Sequence, residues 1–144
     1  MFSKSYEHGI KAVLYIATQS LNGRRVKIPE IAEKTGNPEA FTAKILGTLS
    51  KENIIQSSKG PTGGFDIDID KMKETKVIEI IYAIDGDKIF TKCALGLNKC
   101  SDINPCPIHS KFKVIKDEIK DIMCSTSLYD LALDFTNGKS VFIV

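Results

Sequence analysis

Three cysteines fall within fourteen residues, Cys93, Cys100 and Cys106 in the run CALGLNKCSDINPC, and His109 follows three positions later. Thiolates this close can converge on one soft metal centre, and the imidazole adds a fourth donor. The run is rich in turn residues (Gly96, Asn98, Ser101, Asp102, Asn104, Pro105, Pro107), so the backbone can bend to bring the sulfurs together. Structural zinc held by Cys93, Cys100, Cys106 and His109 is the rival chemistry, since three sulfurs and an imidazole also satisfy a tetrahedral site. The gaps, six residues and then five, exceed the roughly two to four of common zinc knuckles. The bland alternative is three unliganded thiols in the core. The polar, proline-bearing context argues against it. Cys124, off this run, is expected to be structural, and His8 to be a surface residue.

Elements upstream must position this loop. Ile10, Val13, Leu14, Ala17 and Leu21 recur at helical spacing and predict a first helix ending near Asn22-Gly23. Pro29 suits the first turn of a second helix, which Gly36 breaks. Asn37-Pro38-Glu39 then starts a third with a capping side chain, a first-turn proline and a carboxylate at the positive end of the dipole. That helix runs to about Glu52, with Phe41, Ile45, Leu46 and Leu49 inward and Thr42, Lys44, Thr48 and Lys51 outward. Two helices joined by a short glycine-bearing turn form a helix-turn-helix whose second member reads DNA.

Ile54 to Ser57 reads as a strand, Lys59 to Gly64 as a turn, and Phe65, Ile67 and Ile69 as a return strand alternating with Asp66, Asp68 and Asp70. This hairpin is the wing. Gly60, Gly63 and Gly64 would let its tip approach phosphates, and Lys59 would enter a minor groove. The aspartates would repel phosphate, so contact is placed at the tip alone. The expected DNA-contacting set is Pro38, Thr42, Lys44, Thr48, Lys51, Lys59, Gly60, Gly63 and Gly64.

Val77, Ile80, Ile81 and Ile84 predict a fourth helix closed by Asp85-Gly86. Beyond the cysteines, Ile108, Phe112, Ile115, Ile119 and Ile122 alternate spacings of four and three, a heptad seam on a long helix. It either packs on its own domain or pairs two copies of the chain. The fold class expected is mainly α with a small β-hairpin wing: a winged helix-turn-helix (1–76) plus the cysteine loop and dimerisation helix (77–144), within one domain. The tail carries Val141, Phe142, Ile143 and Val144, expected to pack on a partner or a strand edge.

The net charge of +2 is modest, but its distribution is uneven. Met1 to Gly64 holds nine Lys/Arg against five Asp/Glu, whereas Phe65 to Phe90 holds four against seven. The basic excess lies in the helix-turn-helix. No run approaches the ~18 apolar residues of a membrane span, and no leader pattern precedes a cleavage site, so a cytoplasmic protein is expected. There, clustered cysteines serve metals or redox sensing more often than disulfides. No paired helical carboxylates, phosphate-binding loop or nucleophile–base pair emerges, which argues against an enzyme.

The first helix, the helix-turn-helix, the Lys59-to-Phe65 wing, the Ile80-to-Gly86 segment and the cysteine loop resemble, in that order, the Rrf-two family of winged-helix transcriptional regulators. The resemblance spans nearly the whole chain and is weakest after Asp134. It implies a homodimer, an iron–sulfur cluster ([2Fe–2S] or [4Fe–4S]) near the subunit interface, and a double-stranded DNA operator read by the third helix and wing. On the resemblance, Cys93, Cys100 and Cys106 match the cysteine ligands. His109 matches the histidine of IscR-like members. Glu7 stands where NsrR-like members place an acidic ligand given by the neighbouring subunit. Lys59 replaces the usual wing arginine, keeping the charge without the bidentate fork. The function implied is a regulator whose operator affinity follows a cluster or redox state. The alternative is a zinc-stabilised winged-helix interaction module.

Overall fold

The structure, a computed structural model, describes residues 2–139. Its centre is α1 (Lys4–Leu21), capped by Ser3, whose hydroxyl accepts from the Tyr6 amide at 2.9 Å. Helix α1 buries Ala12, Val13, Ile16 and Ala17 and packs against α2 (Ile28–Thr35), α3 (Glu39–Lys51), α5 (Val77–Asp85) and α8 (Leu128–Thr136). The α1–α5 approach is close because residue 9 is glycine: a Cβ there would stand 2.3 Å from the Ile84 Cδ1.

The α2–α3 pair forms as the sequence predicts. Pro29 sits in the first turn of α2, and Gly36 closes that helix in the left-handed region at φ 69°. Ile31, Ile45, Leu46 and Leu49 fasten both helices to α1. Truncating any one of them to alanine removes about 2–5 kcal/mol. Asn37 does not cap α3, contrary to expectation. Its side chain turns back to α1, donating to the His8 carbonyl at 3.1 Å and pairing with the His8 ring. His8 is accordingly half-buried, with its ring edge-on to Phe41, and not a surface residue.

The hairpin is short. Strand β1 (Gln56–Ser58) pairs antiparallel with β2 (Gly64–Asp66), matching Ser57 with Phe65, and Val26 bridges to Phe65 from the other side. The return strand stops at Asp66: Ile69 opens α4 (Ile69–Glu74), an element hidden by the alternating Asp–Ile run. Gly64 lies at φ 133°, where a Cβ would stand 2.7 Å from the Val26 carbonyl oxygen. Gly64→Ala is therefore expected to cost about 1–3 kcal/mol in urea unfolding. An unchanged midpoint would refute this account of the wing's anchoring.

After α5 come the single turn α6 (Lys88–Thr91), the cysteine loop, and α7 (His109–Ser125). Thr75 and Val77 bond across to Leu128 and Thr126, which returns the chain beside α4 before α8 closes the core. No helix among the described residues is long and apolar enough to cross a membrane. The expected packing of Val141 to Val144 lies outside the described residues.

Candidate nucleic-acid interface and metal centre

Helix α3 presents one stripe to solvent: Ala40, Ala43, Lys44, Gly47, Thr48 and Lys51 are exposed, with Pro38 and Glu39 at its entry. Thr42 is not among them. It lies one turn before Ile45 and Leu46 on the core side, is 1% exposed, and spends its hydroxyl on the Pro38 carbonyl at 2.9 Å. Its polarity pointed outward, but the helical phase puts it inside. Ala40 and Ala43 occupy the outward face instead; small side chains of this kind pack against thymine methyl groups. Sequence reasoning passed over them because apolar residues read as core.

Beside α3, the wing and the start of α2 bound a cleft of about 740 Å³ walled by Pro29, Ala40, Ala43 and Phe65. Lys59 and Gly60 stand exposed at the wing tip, with Gly60 at φ 96° and open space where a Cβ would stand. Gly63 differs: it is buried, its amide closes the turn on the Gly60 carbonyl at 3.0 Å, and a Cβ would stand 2.2 Å from the Ser58 oxygen. Gly63 and Gly64 are thus needed for the chain's approach to itself, and only Gly60 is open to a phosphate.

The charges here are partly committed. Arg24 grips Glu30 at 2.7 and 2.8 Å, which above all holds that carboxyl below its usual range, and Arg25 faces Asp66 at 3.6 Å. Lys44, Lys51 and Lys59 form no ion pair among the described residues and remain available to an external polyanion.

At the other end, the cysteine loop brings its donors together as two pairs. Cys100 Sγ lies 3.2 Å from His109 Nδ1, on the first residue of α7. His109 is 8% exposed, and its Nε2 meets Asp102 at 2.8 Å. Lys113 in turn holds Asp102 at 2.9 and 3.0 Å; the histidine first and then this lysine keep the carboxyl below its usual range. Asp102 thereby fixes the imidazole with one nitrogen facing sulfur, the outer-shell device by which carboxylates orient metal-binding histidines. Asp102 and Lys113 were missed in sequence because their pairing depends on how the loop folds over α7.

Cys93 is buried and neighbours Cys106. The Leu95 amide, chiefly, with help from Cys106, the Leu97 amide and Lys116, holds the Cys93 thiol below its ordinary range against its burial. Among the described residues no three such donors form a single metal-holding group. The donor chemistry fits a thiolate-ligated centre, while the arrangement stands as two pairs that such a centre would have to draw together. Glu7 lies elsewhere, in the first turn of α1, paired with Lys4 at 2.9 Å. Cys124 is exposed on α7, so the structural role expected for it fails.

Residues 2–134 match the Rrf2 family, described as an iron-dependent transcriptional regulator. A protein of Aquifex aeolicus assigned as an HTH-type transcriptional regulator is 35% identical over 136 residues, 91% of this chain and 90% of that one. The HTH-type transcriptional regulator IscR of Photorhabdus laumondii is 28% identical over 86% of this chain and 74% of its own. Among solved structures, T. potens IscR superposes with a TM-score of 0.74 at 20% identity, covering 99% of this chain and 93% of that one. CymR, the global cysteine regulator of B. subtilis, gives 0.73 at 16% identity over 94% and 98%. At these identities the two structures establish the winged-helix fold.

Proposed function

The chain belongs to the Rrf2 (Rrf-two) family of transcriptional regulators, which are not enzymes, and from that membership we propose a homodimeric, cytoplasmic DNA-binding regulator whose operator affinity follows a centre held by Cys93, Cys100 and Cys106. The observation that carries the DNA half is the unpaired cationic stripe of Lys44, Lys51 and Lys59 on an exposed helix and wing tip. Iron–sulfur is the favoured centre because its relatives include IscR and because three thiolates and one imidazole are the soft donors it takes. His109 is the proposed fourth ligand over Glu7, supported by its placement against Cys100 and its Asp102 anchor.

The residues divide the work. Cys93, Cys100 and Cys106 would hold the group, which when bound supplies redox and ligand-exchange chemistry at the loop. Asp102 orients His109. The loop joins α6 to α7, so its state bears on α7 and on how two recognition helices are spaced. A dimer must meet half-sites about 34 Å apart, and a small change in that spacing alters affinity.

The DNA assignment is tested on duplexes selected from a random pool. Lys44→Ala should weaken binding and lower the log affinity–log salt slope by about 0.9, the signature of one lost phosphate contact. Thr42→Ala should leave that slope unchanged, since Thr42 is inside the helix packing. Wild-type affinity and slope in Lys44→Ala would mean that the groove-facing stripe is wrong.

A further inference from the structure

Among the described residues no other lysine or arginine is buried as Lys116 is, at 8% exposure. It lies on α7 one turn beyond Phe112, in a cleft of about 510 Å³ shared with Phe2, Asp85, Lys92 and Cys93. Its ammonium donates to the Lys92 carbonyl, the residue immediately before Cys93. It makes no ion pair among the described residues, and the cleft's carboxylate, Asp85, is engaged by the Ser3 hydroxyl. A buried cation satisfied by one neutral oxygen is a net cost to folding, and an apolar side chain of the same length would pack better. The position therefore calls for a negative charge, and with Asp85 engaged the cleft's remaining anionic candidate is Cys93 of the loop.

We propose that Lys116 is the counter-cation of the centre held by Cys93, Cys100 and Cys106, a positioning residue that offsets its charge from the protein side. The inference rests on the cysteine-loop reading above. Three thiolates outweigh by one the double positive charge of a zinc ion or of an oxidised iron–sulfur core, and one ammonium cancels that excess. The balance closes with a neutral imidazole as fourth ligand, whereas a carboxylate would leave a further negative charge. Lys116 thus fits the His109-ligated arrangement.

The test uses cobalt(II) as probe, titrated anaerobically into full-length metal-free protein and followed by sulfur-to-cobalt absorption. Lys116→Met keeps the length of the stem and removes the charge. It should weaken cobalt binding by about tenfold or more and yet raise the thermal midpoint of the metal-free protein, because an uncompensated buried charge is gone. Lys116→Arg should stay near the wild-type affinity. Wild-type affinity in Lys116→Met, or a loss of affinity accompanied by a lower midpoint, overturns the proposal. So does a Lys116→Arg protein that behaves like Lys116→Met. Cys93→Ala and Cys100→Ala, run in parallel, separate the two readings. Cobalt bound by them as tightly as by the wild type sinks the cysteine-loop reading and this inference with it. Cobalt refused by the wild type sinks the counter-cation and leaves the loop to the iron and sulfide content of anaerobically purified protein. Cobalt lost by them and kept unweakened by Lys116→Met sinks the counter-cation alone.

Discussion

Cys93→Ala, Cys100→Ala and Cys106→Ala are each expected to purify colourless under anaerobic conditions from cells in which the wild-type protein carries iron and sulfide. Removing one of three thiolates takes away soft ligation that no neighbouring oxygen replaces, so the effect is loss of the centre and not a graded weakening. His109→Ala should still assemble a centre, with a shifted absorption spectrum and faster decay in air, because the three thiolates remain and only the fourth ligand is lost. Glu7→Ala should change neither if His109 completes the centre, since Glu7 then serves only an exposed pair with Lys4. Decay hastened by Glu7→Ala and unaffected by His109→Ala would reverse the ligand assignment. A colourless wild type with zinc lost in the three cysteine variants would select the zinc-stabilised module. Iron, sulfide and spectrum retained in all three would remove the loop from the site altogether. The same proteins decide regulation: operator affinity should differ between loaded wild type and the cysteine variants, with the salt slope preserved.

The helix-turn-helix was legible because its punctuation is local. Pro29, Gly36 and Pro38 act through their own backbone geometry, whatever packs on them. Where side-chain polarity conflicted with position, position prevailed. Thr42 is polar but shares the core side of α3, and it satisfies its hydroxyl on the preceding turn without leaving the core. The Asp–Ile alternation after Phe65 imitates a strand as far as Asp70, although β2 stops at Asp66 and the chain turns at Asp68 into α4. The three wing glycines share one expected role in letting the tip approach phosphates, but Gly63 and Gly64 press against Ser58 and Val26, and of the three Gly60 alone has open space around it.

The cysteine loop shows the opposite limit. Residue types make its thiols and imidazole visible, but the pairs Cys100–His109 and Asp102–Lys113 are made by folding an irregular loop over the first turns of α7. No periodicity encodes such contacts. Lys116 is hidden for the same reason: along the sequence it belongs to a charged, solvated face, and only the cleft beneath α6 makes it a buried cation.

Ile115→Asp combined with Ile122→Asp is expected to convert a dimer into monomers, raising the dissociation constant by more than about a thousandfold. The seam Ile108, Phe112, Ile115, Ile119 and Ile122 repeats at heptad spacing along α7. Within one chain this helix packs chiefly on α5, and Phe112 and Ile119 are half-buried. Ile115 remains 44% exposed, Ile122 59% and the adjacent Val114 57%. Three large apolar side chains left in water on a single helix are a poor arrangement for an isolated domain and an ordinary one for half of a symmetric interface. Ile115 and Ile122 are the informative pair because neither is needed to cover the chain's own core, so a folded monomer should survive. Symmetry places each new carboxylate in the interface twice, and no lysine on the seam compensates it. Sedimentation should show the monomer with an unchanged helical circular dichroism spectrum. Operator binding should fall with it, since one recognition helix cannot span two half-sites. An intact dimer in the double variant would move the subunit contact off α7 and would leave the link from cysteine loop to recognition helix without its lever.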